Sequence, residues 1–357
     1  MIQKNRFEQL RSSVQACAHG SVGVFRNIKM DKNQATFAMR MATWNLRFDS
    51  KPDNITVQQS IDALPDPLVE FPFQGVHGEQ PWSTRRLRVA QTLLSEDIDI
   101  AGFQEALVRQ VRDLAELLGD DWSWVGVGRD DGKEAGEFSP IFFKKSKFTL
   151  VSNDSFWLSD TPFEPSRFPG AGSIRICTAT RFTVKEPSSS GPQHFAYLNA
   201  HLDDASDQQR QLGTSLILTR ARFEAFVNGG PVLVTGDFNS PSTGSDSGGY
   251  KVITGAQPPL PINATFAKKF DAGGVGADFR MIDFRGQAPR QSVSKNYATF
   301  TGFTEPNDTS DWTRIDFAFG GSTRGWNATG YKVLSALQDD GTLSSDHRPV
   351  FADVSLE

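Results

Sequence analysis

The sequence predicts a mixed α/β protein, and three observations carry that expectation. Short runs rich in β-branched and apolar residues, such as Val232 to Thr235, alternate along the chain with segments whose apolar residues recur at helical spacing. The 38% hydrophobic content rises to about 47% once the 31 glycines are added, an ordinary share for a globular chain. The 357 residues can bury a substantial core, as one large domain or two ordinary ones. No apolar run approaches the roughly 18 residues that a membrane-spanning helix requires, so no membrane span is expected.

Charge is spread unevenly. Residues 1–40 carry seven Lys or Arg against Glu8 and Asp31, so with a net charge of −5 overall the remainder holds −10. An acidic body disfavours a long duplex nucleic acid and suits a metal-dependent site. The basic, acid-poor start lacks the apolar centre of a secretory signal; it reads as an N-terminal extension, disordered or targeting, with the fold proper at 41–357. The expected compartment is intracellular and cytoplasmic, with a mitochondrial address as the alternative. Five Asn-x-Ser/Thr sequons carry little meaning without a secretion signal. Only Cys17 and Cys177 are present, which excludes a disulfide framework and a cysteine zinc site. Cys177, in a strand-like context, reads as a small buried hydrophobe.

In chain order, Met41 to Leu46 reads as a strand, and Phe48 to Trp82 as a long irregular connection of the kind that is usually functional. A helix from Ser83 is expected to use that hydroxyl as a cap and to bury Leu87, Ala90 and Leu94. Ile98 to Phe103 reads as a buried strand stopping at Gln104 and Glu105. The next helix carries Leu107, Val111, Leu114 and Leu118 on one face and ends at Gly119. Strands follow at 122–127, 138–144, 148–158, 174–184 and 194–201, and then a helix over 206–226 with Leu212, Leu216, Phe223 and Phe226 inward. The strand from Val232 breaks at Gly236 into Asp237, Phe238 and Asn239; an extended backbone there would point Asp237 and Asn239 the same way. After a Gly/Ser/Pro-rich stretch to about Gly276, strands are expected at 297–301, 314–319, 331–337 and 350–354.

Six strand ends or adjoining turns carry polar residues a core does not want: Asn45; Glu105; His201; Asp237 with Asn239; Asp316; Asp346 with His347. Singly, each has an ordinary structural explanation: a turn cap, a helix-dipole acid, a satisfied buried histidine, an ion pair of Asp316 with Arg314. Jointly they make chemical sense as a phosphoester site, with the following roles expected. Glu105 and Asp346, helped by Asn45, supply the hard oxygen ligands that Mg²⁺, or Mn²⁺ in its place, prefers. Asp237 aligns or deprotonates the attacking water and Asn239 donates to the phosphoryl group. His347, oriented by Asp316, stays partly protonated to stabilise developing charge, and His201 binds phosphate or serves as acid.

The ordered motifs TWNLR (43–47), GFQEA (102–106), NAHLDD (199–204), GDFNS (236–240), RIDFAF (314–319) and SSDHRPV (344–350) resemble the endonuclease/exonuclease/phosphatase superfamily, the DNase I-like fold. The resemblance spans about residue 41 to 357. It implies a four-layer αββα sandwich and Mg²⁺-dependent phosphoester hydrolysis, and it implies the same roles at the same eight positions. PWSTRR (81–86), VGVGRDDGKEAGEFSPIFFKK (125–145), FWLSDTP (156–162) and RICT (175–178) are similar to a branch of bacterial and fungal members. That similarity makes Arg85, Glu137 and Arg175 candidate substrate-binding residues, against ordinary readings as a solvated helix charge for Arg85 and a strand-edge carboxylate for Glu137. Ala200 stands where many relatives have Thr, a difference expected to affect packing more than chemistry.

The expected function is therefore hydrolysis of a phosphate ester, as phosphodiesterase or phosphatase, on a small or single-ended substrate. The alternative is a nuclease, which a basic stripe beside the cleft would favour. A non-catalytic binding module of the same fold is disfavoured because every expected catalytic position is filled. No partner protein is implied.

Overall fold

The computed structural model describes residues 36–70, 72–186 and 193–357. The basic segment up to residue 35 therefore lies outside the described residues, and the last residues assigned by sequence to that extension are already strand.

The first part of the fold contains β1 (Phe37–Asn45), α1 (Val57–Asp62), α2 (Trp82–Ser95), β2 (Ile100–Gln104), α3 (Val108–Leu118), β3 (Trp122–Val125) and β4 (Ile141–Lys144). The second contains β5 (Phe148–Trp157), β6 (Ile176–Val184), β7 (His194–His201), α4 (Asp207–Phe223), β8 (Val232–Asp237), α5 (Gly248–Ile253), α6 (Ala264–Lys269), β9 (Met281–Asp283) and β10 (Asp316–Gly321). The chain closes with β11 (Trp326–Val333) and β12 (Val350–Leu356). Two six-stranded sheets result, in orders β11-β12-β1-β2-β4-β3 and β5-β6-β7-β8-β10-β9. Each has one parallel pair near its centre, β1 with β2 and β7 with β8. No helix among the described residues is long and apolar enough to cross a membrane.

The strand pleat explains the layers. In β1, Met39 and Met41 belong to the core between the sheets, whereas Ala42 and Trp44 belong to the core beneath α2 and α3. In β8, Leu233 faces the inter-sheet core while Val232 and Val234 pack with Leu212 and Leu216 of α4. Helices thus cover both outer faces, giving the four-layer α+β sandwich. Toward one edge the inward positions turn polar: Thr43, Gln104, Asn199 and Thr235 are buried and hydrogen-bonded to one another across the sheets. Gly102 makes room for this network, since a Cβ there would lie 2.6 Å from Thr235 Oγ1.

Several local expectations need correction. α2 starts one residue earlier than expected, with Pro81 at the N-cap position and no side-chain cap; the Ser83 hydroxyl instead donates to Asp53. Leu93 is buried and Leu94 is 51% exposed, because the buried stripe follows Val89, Ala90 and Leu93. Phe226 is 39% exposed, since a π-turn at Glu224–Asn228 rotates it outward and brings in Glu224, paired with Arg181 and Arg220. No strand forms at 297–301; Phe300 makes only isolated bridges, to Thr313 and His347. The irregular connection after Asn45 contains α1, and the Gly/Ser/Pro-rich stretch after β8 contains α5 and α6. Cys177 is fully buried, packed in the core under α4, as expected.

Candidate active site

Strand register brings the predicted residues together. Asn45 ends β1 opposite Gln104, the last residue of β2, so Glu105 emerges beside it. His201 and Asp237 end the parallel pair β7 and β8 side by side, and Asp316 faces Asp237 across the antiparallel β8–β10 pair. Asp346 and His347 enter from the loop before β12. These ends lie at one edge of the sandwich, beyond the carboxyl ends of the parallel strands.

The exits from the strands are strained. Arg47, Glu105 and Asn239 all adopt positive φ, at 54°, 60° and 46°. Asn239 is therefore not a continuation of the extended strand. Its backbone N donates to Asp237 Oδ1 at 2.9 Å in an Asx turn, and its Nδ2 approaches His201 Nε2 and Leu202 O, each at 3.1 Å. Left-handed backbone at non-glycine residues costs of order 1–3 kcal/mol each and persists where surrounding contacts over-determine it.

A cavity of about 710 Å³ opens here, lined by Glu105, Glu137, Arg175, His201, Asp237, Asn239, Asp346 and His347 among others. Asn45 and Asp316 lie just beneath its surface, fully buried. Asn45, expected among the metal ligands, turns Nδ2 to Glu105 Oε1 and Asp237 Oδ2, both at 2.9 Å, while its Oδ1 accepts from Arg47 N at 2.9 Å. In this arrangement it orients carboxylates. Asp316 Oδ2 accepts from His347 Nδ1 at 2.9 Å, and Trp44 Nε1 donates to the His347 carbonyl at 2.9 Å.

Electrostatics separate the two histidines. Burial, then Arg175 and Arg129, push His201 well below its ordinary range, so it is neutral. Burial acts the same way on His347, but Asp316 and then Asp237 outweigh it and hold that imidazolium up to about 10. Burial, then Asp316, raises the Asp237 carboxyl to about 7. Glu137 is also raised to about 7, by burial, while its ion pair with Arg129 at 2.6 Å pulls the other way.

The donor set fits a divalent cation. Glu105 and Asp346 offer hard oxygens at the cavity wall; Asp346 is pushed up by burial and by the neighbouring Glu105, with His347 and Arg47 pulling the other way. A second candidate group, Asp237, Asp316 and His347, has ligand atoms within 4.8 Å of one another. There the ring proton of His347 supplies the positive charge, and a protonated imidazole does not ligate.

Of the three residues assigned to substrate, Glu137 and Arg175 line the cavity. Arg175 Nη1 lies 2.9 Å from His201 Nδ1 and Nη2 donates to Asp204 at 2.8 Å. Arg85 does not reach it. Its guanidinium is 0% exposed and donates to the carbonyls of Gln80, Leu46, Ser344, Arg47 and Phe48. It ties the chain after β1 to the loop before Asp346, a positioning role. Sequence reasoning assigned no role to Arg47, Arg129 or Asp203. Asp203, fully buried, accepts backbone N–H bonds from Gly172, Ser173, Ala205 and Ser206 and so holds the Ser173–Arg175 loop at the cavity. The paired acids of NAHLDD were its visible signal.

Comparison with known proteins agrees with this geometry. A family model described as the Endonuclease/Exonuclease/phosphatase family matches residues 42–347. A structure from Bacteroides vulgatus, described as an endonuclease/exonuclease/phosphatase, aligns with 28% identity and TM-score 0.67, covering 90% of this chain and 100% of the other. A mannosyl-6-phosphatase from Bacteroides thetaiotaomicron aligns with 25% identity and TM-score 0.63, covering 88% and 99%. The human Nocturnin catalytic domain shares the fold at 14% identity and TM-score 0.56, covering 90% and 94%. No curated protein sequence matches significantly.

Proposed function

Because this chain belongs to the endonuclease/exonuclease/phosphatase family, we propose that it is a Mg²⁺-dependent phosphoester hydrolase acting on a small phosphorylated molecule. The observation that carries the reading is the cavity itself. Its floor holds the strand-end set, and its walls carry Glu137, Asp204, Asp246 and Asp311 against two arginines, Arg47 and Arg175. Such walls repel a polyanionic strand and accept hydrogen bonds from a hydroxylated leaving group. The resemblance to a mannosyl-6-phosphatase supports a phosphosugar as the first substrate to try.

In this reading Glu105 and Asp346 hold the cation, oriented by Asn45. When bound, the cation neutralises charge on phosphoryl oxygens and on the leaving oxygen. Asp237, poised near neutrality, takes a proton from the attacking water. His347 keeps a proton on Nε2, 3.7 Å from Asp237 Oδ2, for an oxygen gaining charge. Asn239 donates through Nδ2. His201, being neutral, binds a phosphoryl oxygen rather than acting as acid.

A panel of sugar phosphates, nucleotides, oligonucleotides and phosphodiesters, assayed with Mg²⁺ and with EDTA, tests the proposal. Turnover of small monoesters that EDTA abolishes is expected. Preference for oligonucleotides would move the assignment to the nuclease alternative, and turnover in EDTA would remove the metal from the mechanism.

A further inference from the structure

We propose that Arg47 is a specificity-determining residue that meets the third terminal oxygen of a phosphomonoester, so that the site favours monoester dianions over diesters; this rests on the phosphoesterase reading above.

Arg47 lies two residues past Asn45 with φ 54°. Contacts fix that left-handed peptide on both sides. The Arg47 N–H donates to Asn45 Oδ1 at 2.9 Å, and its carbonyl accepts from Arg85 Nη2 at 3.0 Å and Gln110 Nε2 at 2.9 Å. The side chain is held as firmly at its base. Nε donates to Glu79 Oε1 at 3.1 Å, Glu79 Oε1 also accepts from Ser50 Oγ at 2.6 Å, and the guanidinium carbon sits 4.2 Å from the centre of the Phe48 ring.

The far end of the fork is different. Neither Nη group has a hydrogen-bond partner among the described residues, and Nη1 lies 4.0 Å from Glu105 Oε2, beside the acids assigned to the cation. The other arginine on the cavity wall is already engaged, with His201 and Asp204. Arg47 is thus a pre-positioned guanidinium with donors to spare, and the long connection that supplies Glu79 is what holds it there.

A phosphodiester presents two terminal oxygens that share one negative charge, and a monoester dianion presents three that share two. In the phosphoesterase reading above His347 serves one of them and the Asn239–His201 side another, Asn239 exchanging a bond to His201 or Leu202 for the ester oxygen. Arg47, on the Glu105 side, serves the third, which in a diester is bonded to carbon and cannot accept a charge-assisted pair. The long connection after β1 therefore bears on which esters react.

The test compares p-nitrophenyl phosphate with its methyl diester in wild type, Arg47→Ala and Arg47→Lys, all with Mg²⁺. Arg47→Ala is expected to lower kcat/KM for the monoester about 100-fold and for the diester no more than about 5-fold, with Arg47→Lys recovering part of the monoester loss. Equal losses on both esters would overturn the proposal and mark Arg47 as structural. Calorimetric titration with inorganic phosphate and with dimethyl phosphate supplies a second readout. Wild type should prefer inorganic phosphate and Arg47→Ala should not; a preference retained in the variant also overturns it. If wild type hydrolyses neither ester, the phosphoesterase reading fails, and the binding preference alone decides the role of Arg47.

Discussion

Replacing Asp316 with Asn removes the charge that keeps His347 protonated while leaving an acceptor of nearly the same shape. Burial alone lowers the imidazolium; Asp316, 2.9 Å away, and then Asp237 raise it from 6.5 to about 10. That gap is a factor on the order of 10³ in the ratio of protonated to neutral ring, equivalent to roughly 5 kcal/mol. Without the Asp316 charge, burial is opposed only by Asp237 and then Asp346, so the His347 ring should lose its proton at a markedly lower pH. The pH profile of kcat/KM reads this directly. In wild type the alkaline limb set by His347 lies near 10; in Asp316→Asn it should follow the ring downward, with activity lost between the two limbs. Stability follows the same sign. A folded-state pKa raised above the unfolded value stabilises fully below 6.5 and loses that contribution as pH rises through about 10. The melting-temperature gap between wild type and variant should therefore be widest in acid and narrow in base. Superimposable alkaline limbs in the two proteins would refute the reasoning.

Other variants separate function from stability. The Asp237 carboxyl is raised from 3.8 to about 7, so ionising it costs stability increasingly as pH climbs through that window. Asp237→Asn, kept metal-free, should gain about 1–3 kcal/mol above neutrality in denaturant titrations and lose turnover; a loss of stability in base would contradict this. Arg85→Ala should cost about 3–5 kcal/mol, because five carbonyls lose a buried donor, and Arg85→Lys should not restore it; a stable variant with only a raised KM would return Arg85 to the substrate. Mg²⁺ at 100 times its Kd should stabilise wild type by about 2.7 kcal/mol in thermal shift but leave Glu105→Gln unmoved. A full shift in that variant would place the cation elsewhere.

The strand ends were legible in the sequence because a buried strand that terminates in a carboxylate or amide breaks its own apolar pattern. Asp237 after Val232 to Thr235 is the clearest instance, and six such breaks marked the edge where both sheets deliver chemistry. What strand pattern alone could not give was the path of the chain after each break. Asn239 and Glu105 point as they do through left-handed backbone, which non-glycine residues do not advertise. Arg85 read as a substrate-binding candidate, with a solvated helix charge as the ordinary alternative; neither foresees the neighbouring loops, and only tertiary structure brings five carbonyls to it. Leu94 and Phe226 failed for a related reason, since the stripe of α2 that is covered runs through Leu93 and a π-turn rotates Phe226 outward. The short helices α5 and α6, within Gly- and Pro-bounded loops, are too brief for periodicity to register.

The central claim is that Asp237 directs water to phosphorus at a metal-supported site. Hydrolysis of an accepted phosphoester in water enriched in heavy oxygen, with Mg²⁺, tests it most directly. The account predicts that the heavy oxygen appears in the released phosphoryl product and that Asp237→Asn forms almost none of that product. Label in the released alcohol, or wild-type rates in the variant, would contradict it.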